Sequence, residues 1–205
     1  MSAGAIVNMA RVFDTAVQRH QEEDLTWDEG NPKSIDLVKQ SPIFAISCRV
    51  TGNLVVATTT ATQDTYGAAK IVQWFSLMVN GKDTIFRVPG FMLQRFSEIY
   101  SRSAPLMTQP ALTAGTNAFE WHFTIPVDRG QYFSLLDASQ ANSLTAMVNW
   151  GTPEDGWTLG AGGTIDVTLA KIEVDTLAIS GMARGTPGGI DFGYARHQVQ
   201  VRSET

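Results

Sequence analysis

The chain has 205 residues, 43% of them hydrophobic and 17% charged, with 15 basic against 20 acidic side chains and a net charge of -5. That length suits one domain of about 150 to 200 residues with arms, and that composition can bury a core, which excludes disorder over most of the chain. No apolar run approaches the roughly 18 residues of a membrane-spanning helix, the acidic balance argues against generic binding to nucleic-acid phosphates, and the single cysteine, Cys48, excludes an intrachain disulfide and a cysteine-based zinc site.

The opening MSAGAIVNMARVFD lacks a basic region followed by an apolar one, so a secretory leader is not expected. Residues 2 to about 23 read as an amphipathic helix. Ile6, Met9, Ala10, Phe13 and Val17 recur at helical spacing, Ser2 is a possible N-cap, and Arg11, Gln18 and Glu22 fall off the stripe. Two readings stay open: a helix packed on its own domain, or a peripheral arm that lays the stripe on a neighbouring subunit or a membrane surface. The polar segment TWDEGNPKS that follows would let such an arm stand apart.

From about residue 35 the apolar period becomes two and stays so to about 180. IFAISCRV and LVVATTT, on either side of Thr51-Gly52-Asn53, form a candidate hairpin. IVQWFSLMV at 71 to 79 is apolar on both faces and reads as a central strand. Asn80-Gly81 after it suits a type I′ turn, with TIFRV returning as the partner strand. The segment 90 to 103, with Met92, Phe96, Ile99 and Tyr100 at helical spacing and Pro89 just before it, predicts one short inserted helix. Phe119, Trp121, Phe123 and Ile125 then alternate with polar residues, and so do Leu144, Ala146, Val148 and Trp150. In the strand 164 to 177, Val167 and Leu169 share one parity while Ile172 and Val174 take the other, which predicts a β-bulge near Ala170-Lys171. The expected core comprises Phe119, Trp121, Phe123, Ile125, Val148, Val167 and Leu169.

Beyond Leu177 the chain is rich in Gly and polar residues. A segment of that kind orders only against a partner that offsets its backbone entropy, and two readings stay open: docking on its own domain, or on a neighbouring subunit as the natural candidate. The organisation expected is therefore an N-terminal helical arm (1–34), a β-domain (35–180) and an extended C-terminal arm (181–205). Ile6, Met9, Phe13 and Val17 in the first arm, and Ile190, Phe192 and Tyr194 in the last, are the candidate assembly residues.

Chemistry-bearing motifs are scarce. His20, His122 and His197 lie in different textures without a second histidine at metal-pairing spacing, and no G-x-S-x-G elbow occurs. GAGG at 160–163 leads into a strand pattern, so it reads as a turn rather than a phosphate loop. Glu154 and Asp155 in TPEDGW could act as an acid–base pair or bind Ca²⁺, although a Pro-initiated turn with solvated charges is the simpler reading. Cys48 reads as a buried small hydrophobe. Trp74, Trp121 and Trp150 are in phase with core positions, whereas Trp27 and Trp157 fall in loops where a ligand could stack on them. No catalytic residue, cofactor or metal is assigned.

The order of elements nonetheless carries a resemblance. After an N-terminal helix and paired strands come a strand ending in V-N-G (Leu77 to Gly81), the helical PGFMLQRF (Pro89 to Phe96) and a W-x-F-x-I-P-V strand (Trp121 to Val127), these matching residues lying within a region of about 35 to 180. This is similar to the jelly-roll coat proteins of tailless, membrane-containing icosahedral bacteriophages, the tectivirus, corticovirus and sphaerolipovirus group. One departure is that the larger coat proteins of that group carry two consecutive jelly rolls, while this chain has strands for one. The resemblance implies an all-β fold, a single antiparallel jelly-roll sandwich of about eight strands. It further implies a capsid subunit, made in the host cytoplasm and located in the virion, that assembles with copies of itself and other coat proteins. Contact of the N-terminal helix with an internal membrane, and no sequence-specific nucleic-acid binding, belong to the same expectation. The alternatives are a carbohydrate- or receptor-binding sandwich using Trp27 or Trp157, and a cupin-like or glycan-active enzyme using Glu154 and Asp155.

Overall fold

The alternation between residues 35 and 180 is realised as two sheets packed face to face, antiparallel throughout except for a two-residue parallel pairing at one edge. The computed structural model describes residues 17–39, 43–57, 60–101, 107–126, 136, 138, 141–159, 163–179 and 199–200. One sheet contains β1 (Val17–Gln21), β2 (Leu25–Thr26), β4 (Ile43–Ala57), β8 (Met107–Thr108), β9 (Gly115–Pro126) and β12 (Thr164–Ile179). Its order is β1-β12-β4-β9-β8, with β2 also pairing β12. The second sheet orders β13 (Val199–Gln200), β7 (Asp83–Val88), β6 (Val72–Val79), β10 (Leu144–Trp150) and β3 (Pro32–Asp36) as β13-β7-β6-β10-β3. A small third pair joins β5 (Ala61–Gln63) to β11 (Trp157–Leu159).

Omitting the two-residue strands and the small pair, the chain visits the first sheet at β1, the second at β3, and the first again at β4. It then runs through β6 and β7 in the second, β9 in the first, β10 in the second and β12 in the first. The two four-stranded layers β1-β12-β4-β9 and β3-β10-β6-β7 are a jelly roll, the arrangement expected from the sequence, with eight principal strands.

Phe119, Trp121, Phe123, Ile125, Val148 and Val167 are all buried, as their parity requires. Phe75 of β6 meets Phe123 of β9 edge to face at 5.4 Å, which locks one sheet onto the other. Trp150 of β10 donates its indole N–H to the carbonyl of Thr26 at 2.8 Å, a second tie between the layers. Leu169 is the exception in the expected core: it is 82% exposed. Register explains why. Thr168 pairs with Asn53 and Lys171 with Thr51, so Leu169 and Ala170 together oppose Gly52 alone. The predicted bulge is present, and Ala170 takes the buried place while Leu169 is turned out with φ +54°.

The hairpin expected at Thr51-Gly52-Asn53 does not form. Residues 43–57 are one continuous strand of 15 residues. Gly52 marks a close approach rather than a turn, since a Cβ there would lie 2.5 Å from the Phe119 ring and 2.8 Å from the Ala170 Cβ. Asn80 and Gly81 do turn, with φ of 56° and 65°, and β6 pairs antiparallel with β7 as read from the sequence. β6 lies between β7 and β10, a central strand by pairing.

Residues 17–21, expected as the last turns of the N-terminal helix, are instead β1, paired antiparallel with β12 from Val17↔Ile179 to Gln21↔Asp175. The apolar spacing that put Val17 on the helical stripe is thus outweighed by the open edge of β12, which supplies backbone partners a helix would leave unpaired. With β2 and β3 following, residues 17–36 belong to the sandwich rather than to an arm.

The inserted helix, α1, spans Gly90–Ser101. Its buried line is Leu93 and Ser97, with Met92 and Phe96 packed partly against the core, whereas Ile99 is 71% exposed. The Ser97 Oγ accepts the backbone N–H of Thr124 at 3.0 Å, so α1 covers part of the β9 edge that two-residue β8 leaves open.

Candidate functional site

Of the candidate assembly residues, Ile6, Met9, Phe13, Ile190, Phe192 and Tyr194 lie outside the described residues. Val17 opens β1. Near the other end, Val199 and Gln200 run parallel to Phe86 and Arg87 on the edge strand β7.

Of the two tryptophans assigned to loops, Trp27 lies in one, after β2, and Trp157 does not. Trp157 is fully buried in β11, 5.8 Å from the Phe119 ring, and cannot stack on a ligand. Its loop-like flanks hid a short strand pairing β5. Trp27 is half-buried and meets Trp150 edge to face at 5.2 Å. Trp74, read as a core residue, lies on the outer parity of β6 instead, half-buried, with the Arg87 guanidinium 4.2 Å from its ring centre.

Glu154 and Asp155 sit in α2 (Pro153–Gly156), a single helical turn. Asp155 accepts the backbone N–H of Thr152 at 2.8 Å in a capping box, and Glu154 is exposed. Proline at the start and a carboxylate at the third position are what that turn requires. Among the described residues no group of three or more His, Cys, Asp or Glu side chains is placed to hold a metal ion, and no helix is long and apolar enough to cross a membrane. Cys48 is buried, and that burial pushes its thiol pKa well up, away from the reactive thiolate.

The outer face of the first sheet carries a ladder of polar and charged side chains across three strands, β12, β4 and β9, with Asp24 from the loop before β2 at one end. Lys171 on β12 contacts Asp24 and Glu173, each at 2.8 Å. Arg49 on β4 reaches Glu173 at 3.4 Å and grips Glu120 on β9 through two bonds of 2.9 Å. His122 Nε2 closes the row 2.7 Å from Glu120 Oε1. The Arg49 hydrogen bonds, and after them the His122 bond, hold the Glu120 carboxyl down at about 2. Lys171 likewise lowers the Glu173 carboxyl, and Asp24 raises the Lys171 ammonium. Local sequence carries no signal for this row, because Arg49 is separated from Glu120 and Glu173 by 71 and 124 positions along the chain. They become neighbours through strand register alone.

The outer face of the second sheet is built from Trp74, Met78 and Met147, all half-buried, around a buried Ser76. Its polar contacts include the Asn149 amide donating to Gln73 and the Thr145 hydroxyl donating to the Asp36 carboxylate at 2.9 Å.

No family model and no curated relative matches the chain. Solved structures do. The STIV MCP crystal structure superposes with a TM-score of 0.62 at 14% identity, covering 79% of this chain and 48% of that one. The atomic structure of Sulfolobus Turreted Icosahedral Virus contains a chain matching with a TM-score of 0.61 at 15% identity, over 80% of this chain and 45% of that one. This chain thus spans under half the length of the structures it resembles. At that identity the likeness establishes the fold, a jelly roll of the kind found in viral major capsid proteins.

Proposed function

We propose that this chain is a structural coat protein, a single-barrel subunit that self-assembles into an icosahedral viral shell, and that it is not an enzyme. The observation that carries the reading is the complete eight-strand jelly-roll topology with α1 inserted between β7 and β9, matched over about four-fifths of the chain by viral capsid subunits. The location that follows is the virion, after synthesis in the host cytoplasm. The partners are copies of the same chain, and, in the finer form of the reading, a second coat protein and an internal membrane contacted by the N-terminal segment. A membrane between coat and genome would also accommodate an acidic subunit without nucleic-acid contact.

The arms of this proposal are residues 1–16, since β1 already belongs to the sandwich, and 181–205, which returns to its own sandwich at Val199–Gln200 on β7. Apolar stripes exchanged between subunits would be worth roughly 25 cal/mol per Å² buried before association costs. The test is size-exclusion chromatography with light scattering on the full chain and on chains lacking 1–16 or 181–205. The full chain is expected to form large particles, and each truncated chain to stay folded by circular dichroism while failing to assemble. If both truncated chains assemble as the full chain does, the arms have no part in the shell; if the full chain is a small oligomer that retains glycans, the receptor-binding alternative through Trp27 replaces the coat reading.

A further inference from the structure

Leu169 is the side chain that neither the backbone nor the core accounts for. Its φ of +54° lies in the left-handed region that bulky side chains rarely occupy, and it is 82% exposed. A bulge needed only to reset the alternation of β12 would be served at this position by Gly or Asn, which enter that region readily. A leucine held there in water points to something it touches.

Beside it lies a groove of about 330 Å³ on the outer face of the first sheet, lined by Thr51, Asn53, Thr108, Ala118 and Glu120, with Leu169 itself as one wall. Gly52, which carries no side chain, and Phe119 complete the lining, and the small Ala118 leaves it open. Glu120 does not swing in to fill it, because Arg49 and His122 pin its carboxylate at 2.9 and 2.7 Å. An apolar knob and a hole with a polar rim thus sit side by side on one patch. A patch that carries both halves of a contact is complementary to itself, which is the requirement for a twofold interface between identical subunits.

We infer that the outer face of the β1-β12-β4-β9 layer is a contact between two copies of this chain, in which Leu169 of each enters the groove beside Ala118 of the other. The inference rests on the self-assembly reading and names the surface through which subunits meet. One leucine and a short rim fall well below the roughly 1,200 Å² of a stable isolated pair, so the contact is weak alone and effective when repeated around a shell.

A cysteine trap tests it. Ala118 on β9 and Leu169 on β12 are separated by β4, two strand spacings or roughly 10 Å, beyond the roughly 7 Å that a disulfide spans between Cα atoms. The double variant Ala118→Cys/Leu169→Cys therefore cannot close within one chain, and buried Cys48 does not compete. Under mild oxidation it should give covalent dimers on a non-reducing gel in which peptide mapping joins position 118 of one copy to position 169 of the other, while Ala118→Cys alone stays monomeric. Absence of dimers from the double variant overturns the inference, and so do dimers joined only through position 169 of both copies, which would mean that the leucines meet without entering the grooves.

The second arm is Leu169→Asn, which suits the left-handed backbone. Its thermal midpoint should equal or exceed that of the wild type, while the concentration needed for assembly rises at least tenfold. Assembly at the wild-type concentration would overturn the contact. Covalent dimers from a chain that never forms shells would keep the contact and refute the coat reading. Shells that form without trapping and tolerate Leu169→Asn would do the reverse.

Discussion

The two outer faces of the sandwich are built on the same period-two strands and carry opposite solutions to exposure. The first sheet shows a continuous row of paired charges from Asp24 through Lys171, Glu173 and Arg49 to Glu120, with His122 in hydrogen-bond contact at its end. The second shows Trp74, Met78 and Met147 with a single stacked cation, Arg87. Inner faces are constrained to the same pattern by burial, so they look alike. Outer faces are free to diverge, and what distinguishes them is cross-strand partnership. The charged face is held in register by pairs whose neutralisation leaves little unsatisfied, and Leu169 interrupts it as an isolated apolar feature.

The comparison is bounded from inside by Trp121, which supports both faces at once. Trp121→Ala should destabilise by about 3 to 5 kcal/mol in urea unfolding, as a core cavity does. A loss under about 1 kcal/mol would mean that the inner faces are not the common foundation assumed here. Gly52→Val should come next, at about 1 to 3 kcal/mol from overpacking against Phe119 and Ala170, and should disturb the charged face selectively because the bulge lies on that sheet. Hydrogen exchange that changes equally on both sheets would break that distinction.

Smaller effects separate the outer faces themselves. In a double-mutant cycle, Trp74→Ala and Arg87→Ala should show a coupling of about 0.5 to 1 kcal/mol that high salt leaves largely in place. The charged face should respond instead to pH. The folded Glu120 carboxyl is held at about 2 against an ordinary 4.5, so its pairing stabilises the fold above pH 4.5 and is lost as the pH falls from 4.5 toward 2. Glu120→Gln should flatten the loss of stability across that window, measured by thermal unfolding at a series of pH values, while Trp74→Ala leaves its slope unchanged. The effect in midpoint at neutral pH is the smallest of the four, because exposed ion pairs are screened by solvent and salt.

What could be read from the chain before folding follows the same division. Burial imposes a period on sequence, so the sandwich, its inward residues, the Asn80-Gly81 turn and the bulge near Ala170 were all apparent. The error at Thr51-Gly52-Asn53 arose because a glycine required by a close approach from Phe119 has the same local appearance as a turn glycine. The bulge was located from the parity change between Val167 and Ile172, yet parity does not say which of two residues is turned out, and Leu169 was assigned to the core in place of Ala170. The edge-pairing of β1 and the burial of Trp157 depend on partners far along the chain, Ile179 and Phe119, which no window of local spacing contains. The Arg49–Glu120–Glu173 cluster escaped for the same reason.

The central proposal is that this jelly roll tiles a closed surface with copies of itself. Electron microscopy of the purified full chain, concentrated at neutral pH, tests it most directly. The account predicts closed shells or curved sheets whose repeating unit holds a single barrel per chain, and a uniform field of isolated monomers or small discrete oligomers at every concentration would contradict it.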